Sequence, residues 1–156
     1  MSTQAVADAR SAIEEIVYGY AELMDRGDFA GVAALFSRAH YRGAGPSDSG
    51  VEGAAAVQEV LETMVQRYDD GTPHTQHVTT NLVIDVDELT VSARARSCFT
   101  VFQQVDTGVI NPIIAGRYQD SYARDDSGWY LTERVFLTSL VGDLSAHLTV
   151  DPFSVA

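Results

Sequence analysis

Apolar positions recur at intervals of three and four as far as Tyr68 and alternate from Thr75 onward, so the pattern predicts helices first and strands afterwards. Between Ala12 and Met24, the residues Ile13, Ile16, Val17, Tyr20, Leu23 and Met24 form one stripe of an amphipathic helix. Gly27 suits its C-terminus, and Asp28 caps a short second helix that turns Phe29, Val32, Leu35 and Phe36 inward. From Ser37 to Gly53, glycines, serines and Pro46 predict an irregular connection with a short strand around His40-Tyr41-Arg42. A third helix carries Val57, Val60, Leu61, Met64, Val65 and Tyr68 and is stopped by Asp69-Asp70-Gly71-Thr72-Pro73.

Four long strands follow, from Thr75 to Val86, Leu89 to Gln104, Val109 to Arg124 and Gly128 to Leu140. The turns Asp87-Glu88, Asp106-Thr107-Gly108 and Asp125-Asp126-Ser127-Gly128 are short, which makes consecutive strands antiparallel neighbours. Helices followed by a strand meander predict an α+β domain. The tail from Val141 to Ala156, with His147, Pro152 and Phe153, predicts no element.

A length of 156 residues with 46% hydrophobic content fits one domain with one core. The formal charge of -12 repels phosphate backbones and anionic lipid, so neither nucleic acid nor membrane is an expected partner. Cys98 stands alone and reads as a small buried residue, and Met1 to Arg10 lacks the parts of a secretion signal; a cytoplasmic protein is expected.

The candidate chemistry lies in Tyr20, Asp25 and His77, since a phenol, a carboxylate and an imidazole in one pocket can move protons on an organic molecule without a cofactor. Strand parity places Val78, Leu82, Ile84 and Val86 on one face and His77 with Thr79 and Asn81 on the other; a bulge near Thr79-Thr80 would reverse that facing. Asp25 lies about 140° round an ideal helix from Tyr20, off the stripe, unless the last turn tightens or unwinds. The pair His74-x2-His77 is a poor metal motif, because residues three apart on a strand point to opposite faces; no metal is expected.

The frame Tyr20-x4-Asp25-x2-Asp28-Phe29, then Thr75-Gln76-His77, then Gly116-Arg117-Tyr118-Gln119-Asp120-Ser121-Tyr122 and Gly128-Trp129, resembles the nuclear transport factor 2-like superfamily. The likeness is to its SnoaL-like domains and scytalone dehydratase branch, and it covers roughly Asp8 to Leu140. It implies a cone, with a strongly curved antiparallel sheet enclosing three helices and an interior cavity. It also implies His77 as general base, Asp25 as its orienter, Tyr20 and Tyr41 as hydroxyl donors, and Tyr118 as a polar pocket residue. Where the dehydratases carry a second ionisable residue, this chain offers Thr100.

Val17, Phe36, Leu61, Phe102 and Ile114 are expected to line the cavity around a small ligand. The expected function is a cofactor-independent lyase or isomerase, dehydratase-like, acting on a small cyclic or polyketide-like carbonyl compound. The alternative is a noncatalytic ligand-binding domain, or a structural subunit resembling the small subunit of ring-hydroxylating dioxygenases. Ala93, Ala95 and Ser97 share one face of their strand and Arg94 and Arg96 the other; the small residues suit close sheet-to-sheet approach, and a homo-oligomer, dimer or trimer, is expected through the sheet.

Overall fold

The computed structural model describes residues 2–43, 49–87, 89 and 91–150. Helix α1 spans Thr3–Asp25 and begins well before Ala12 because the Ser2 hydroxyl accepts a hydrogen bond from the Ala5 amide at 3.2 Å. Its first turns carry mostly alanine and polar residues, too weak a stripe to read, although Ala9 is buried. Asp28 caps α2 (Phe29–Leu35) as expected, its Oδ1 accepting from the Gly31 amide at 2.8 Å. Helix α3 spans Ala54–Met64 and stops short of Tyr68. Val65 turns extended and bridges to Leu148, and the Tyr68 hydroxyl donates to the Ala146 carbonyl at 2.6 Å. The apolar period through Tyr68 thus belongs to two different structures.

Strands β1 (His40–Gly43), β2 (Val51–Glu52), β3 (Thr75–Asp87), β4 (Ser92–Gln103), β5 (Asn111–Asp125) and β6 (Gly128–Val141) form one sheet in the order β2-β1-β6-β5-β4-β3. All neighbours are antiparallel except β1 and β6, which run parallel. The fold is α+β, with three helices. The strongly curved cone is not seen: the sheet is not strongly curled, and its strands form an open series with β2 and β3 at the edges. Pro46, Glu88, Pro152 and Phe153 lie outside the described residues.

The feature that positions the site is a bulge in β3. Thr80 pairs with Cys98 but Val83 with Arg96, so β3 holds one extra residue there, and Asn81 adopts a left-handed φ of 55°. Before the bulge, His77 and Thr79 pair with buried Val101 and Phe99 on the helix-covered face. After it, Ile84 and Val86 pair with buried Ala95 and Ala93 on that same face. The simple parity therefore fails at Val78, which pairs with Thr100 on the opposite face. Ala93, Ala95 and Ser97 are buried in the chain's own core, so they are not the surface for a second copy that their size suggested. Arg94 and Arg96 are exposed on the outer face. Among the described residues no helix is long and apolar enough to cross a membrane.

Candidate active site

The end of α1 and the start of β3 meet at Asp25. Gly27, at φ 69°, lies against Gly71, whose carbonyl oxygen a Cβ at Gly27 would strike. Arg67 also donates to the Gly27 carbonyl, at 3.3 Å, so the turn that precedes β3 is fastened to the helix end. Helical geometry runs to Asp25 without unwinding; it is β3 that comes to the off-stripe carboxylate. Asp25 accepts from the Thr75 hydroxyl at 3.0 Å and from the His77 amide at 2.8 Å, and its Oδ1 lies 2.6 Å from His77 Nδ1.

A carboxylate has only lone pairs to offer, so His77 Nδ1 carries the hydrogen, and in the neutral form of the ring Nε2 presents a lone pair. No hydrogen-bond partner for Nε2 occurs among the described residues, and the side chain is 6% exposed. The arrangement can accept a proton and then stabilise the imidazolium it forms.

A cluster of phenols adjoins this pair. The Tyr20 ring stands edge-on to His77 with centroids 6.3 Å apart and to Tyr118 at 6.0 Å, and Tyr41 packs on Phe36 at 5.2 Å and on Phe136 at 4.5 Å. Arg134 lies between the faces of Tyr20 and Tyr118, its guanidinium carbon 4.4 and 4.2 Å from their centroids. Its Nε and Nη2 donate to Asp120 at 2.8 and 2.6 Å, while Nη1 has no partner among the described residues. Burial works against the Arg134 charge, but Asp120 outweighs it and raises the pKa. Burial also raises Tyr20, Tyr41 and Tyr118 against the pull of Arg134, so all three remain hydroxyl donors.

A second buried imidazole, His147, lies in the segment after β6. The His147 amide donates to the Leu144 carbonyl at 2.9 Å, its carbonyl accepts from Gln66 at 2.8 Å, and the Gln103 side chain donates to Ala146 at 3.0 Å. His147 is 6% exposed, and its Nδ1 has no partner among the described residues. Burial lowers its pKa to about 4; His77 adds to the lowering and Asp25 opposes it.

The profile of the SnoaL-like domain family matches residues 5–135. The chain belongs to that family. Among solved structures, this SnoaL-like domain is similar to a nuclear transport factor 2-like protein with a cystatin-like fold from Novosphingobium aromaticivorans, at 20% identity over 92% of this chain and 89% of that one, with a TM-score of 0.72. A candidate scytalone dehydratase from the same organism gives 22% identity, 91% of each chain and 0.68. The β subunit of a candidate aromatic-ring-hydroxylating dioxygenase, also from that organism, gives 16% identity, 88% and 94% coverage and 0.70. At these identities the likeness is one of fold. No curated protein matches the chain.

Within the SnoaL-like domain, Tyr20, Asp25, His77, Tyr41 and Tyr118 come together on the helix-covered face. Thr100 and Phe102 do not. They alternate with buried Phe99 and Val101 and pair with Val78 and Gln76, so they belong to the outer face. Beside His77 the inner face of β4 therefore offers only Phe99 and Val101, both apolar.

A recess of about 1070 Å³ reaches the cluster through Tyr41, Phe99 and Phe136, with Leu61 and Ile114 in its wall. Its lining also includes Cys98, Thr100 and Arg117 from the outer face, so only part of that volume belongs to the helix side. Val17 and Phe36 are sealed in the core. His74 turns away from His77, with φ 54°, its ring stacked on Tyr68 at 4.3 Å and Nε2 3.0 Å from Asp70. Sequence reasoning missed Arg134 and His147. Only the spacing Leu144-x3-Leu148 around His147 hinted that the tail packs inward.

Proposed function

We propose that this SnoaL-like domain is a cofactor-independent lyase or isomerase that transfers a proton on a small cyclic or polyketide-like carbonyl compound. The observation that carries the reading is the 2.6 Å contact between His77 Nδ1 and Asp25 Oδ1, which leaves Nε2 unpaired among the described residues, on a ring that stands edge-on to Tyr20. His77 Nε2 takes the proton from the carbon next to the carbonyl, and the electron pair moves into an enolate whose oxygen accepts from Tyr20 or Tyr41. Asp25 stabilises the imidazolium. In an elimination, the enolate expels a hydroxyl from the β carbon and the imidazolium proton leaves with it as water. In an isomerisation, the same proton returns to another carbon. In both cases His77 ends neutral.

The test is exchange of the α protons of 2-tetralone in D2O, followed by NMR. The wild-type protein accelerates exchange, and His77→Ala, with its circular dichroism unchanged, lowers the acceleration by about 10²–10⁴. Equal acceleration by the variant removes the mechanism.

A second reading rests on the likeness to a dioxygenase β subunit and on the absence of an ionisable side chain on the inner face of β4 at the level of His77. A structural subunit needs neither. Copurification with a larger oxygenase chain, together with no exchange activity, supports it.

A further inference from the structure

An ion pair enclosed in an apolar interior is often no more stable than well-packed apolar residues in its place, because desolvation offsets the attraction. Arg134 and Asp120 form such a pair, with side chains 1% and 2% exposed, opposite each other on β6 and β5. Its two ends have different surroundings. Asp120 is satisfied by Nε and Nη2 of Arg134 and by the Tyr122 hydroxyl at 3.0 Å. Arg134 lies against the faces of Tyr20 and Tyr118, 4.4 and 4.2 Å from their centroids, with Nη1 unpaired among the described residues. Tyr41 stands opposite Arg134 in the register of β1 with β6, and Tyr41 forms part of the recess wall. The pair therefore turns its positive end to the phenols. Burial raises Tyr20, Tyr41 and Tyr118 most, Arg134 lowers each of them, and at Tyr118 Arg134 outweighs Asp120.

We propose that Arg134 is a positioning residue whose buried charge, acting through Tyr20 and Tyr41, stabilises negative charge on the ligand oxygen that those phenols hold. The inference rests on the proton-transfer reading for the place of that oxygen. Arg134 is not in the recess wall; it stays protonated and takes no part in the bond changes. As His77 removes the α proton, the charge that appears on the oxygen meets a dipole already fixed by two hydrogen bonds, so nothing has to reorganise. Strand β4 brings only Phe99 and Val101 beside His77, and the charge that supports the enolate comes from β6 instead.

The probe is 2-naphthol, which has the shape of the enol of 2-tetralone but no sp3 α hydrogen to give up and no β hydroxyl to lose. Naphtholate absorbs at longer wavelength than naphthol or tyrosinate, so ionisation of the bound probe is followed by absorbance against pH. It is measured in His77→Ala, where no imidazole competes for the phenolic proton, and in the same protein carrying Asp120→Leu with Arg134→Met. That replacement leaves net charge unchanged and removes the dipole. It raises the pH at which bound naphthol ionises by about one unit, a tenfold change in the ratio of ionised to neutral probe. Asp120→Asn with Arg134→Gln, a neutral pair that keeps polar groups in place, shifts it in the same direction and covers poor folding of the apolar pair; circular dichroism checks both. The same ionisation pH with and without the ion pair overturns the proposal, and so does a His77→Ala protein that fails to hold naphthol. Exchange of 2-tetralone protons by the wild type depends on His77, whereas the naphthol shift does not, so a failure of the proton-transfer reading shows separately.

Discussion

An imidazole kept neutral by burial must take up a proton when the chain unfolds in mild acid. His147 has its pKa lowered from 6.5 to about 4 in the folded protein, with His77 and Asp25 as the ionisable groups that face it. Above pH 6.5 both states hold it neutral, and its environment makes stability independent of pH. Between 6.5 and 4 only the unfolded chain binds the proton, so stability falls as pH falls, by on the order of 3 kcal/mol across that interval. Urea midpoints measured from pH 7 to pH 4 should show this loss, and His147→Leu should flatten that part of the curve. A wild-type curve that matches the variant's would show that His147 is not buried as described.

At this scale the sequence was legible unevenly. Asp28 as a cap, and Tyr20 on the buried stripe, could be read because each role depends on neighbours a few positions away. Arg134 could not. It looks like a charge on an exposed strand, and the Asp120 that neutralises it lies on the neighbouring strand, in a register fixed only by folding.

Among elements, β3 carries the most consequence for its length. Its one extra residue lets His77 and Ile84, seven positions apart and of opposite parity, face the same core. Asn81 tolerates the left-handed conformation that this requires, and its side chain reaches Cys98 Sγ at 3.7 Å. Replacing Asn81 with Val should cost about 1–2 kcal/mol by denaturant titration, whereas Asn81→Gly should be close to neutral. Equal costs would mean that the bulge does not depend on that φ.

The same feature explains what the pattern could convey. Helix and strand identities followed from periodicity, and the possibility of a bulge followed from the conflict between His77 and its neighbours. Its position, one step beyond Thr79-Thr80, did not, because Asn81 and Leu82 are equally plausible in an unbroken strand. Helix α3 was read too long for a related reason: Val65 and Tyr68 continue the apolar period while packing against residues near 147, a contact invisible at that separation.

On the scale of the whole molecule, the ion pair of Arg134 with Asp120 ties β6 to β5 directly beneath the phenol cluster, both side chains being almost wholly enclosed. Taking away one partner strands a charge in the interior. Asp120→Asn should lose about 3–5 kcal/mol in a urea titration, and the double replacement Asp120→Leu, Arg134→Met should recover much of it. A single variant as stable as the wild type would mean that solvent reaches the pair.

Asp25 also ties the molecule together, since α1 and the edge strand β3 meet at its carboxylate. Two of its three partners, the Thr75 hydroxyl and the His77 amide, exist whatever side chain stands at position 77. The pair is thus unequal under selection. A descendant that gave up chemistry could shed the imidazole freely, yet it would keep the aspartate for the sake of its architecture. On the proton-transfer reading, a relative with the aspartate and no histidine keeps this joint between helix and strand and has lost the base.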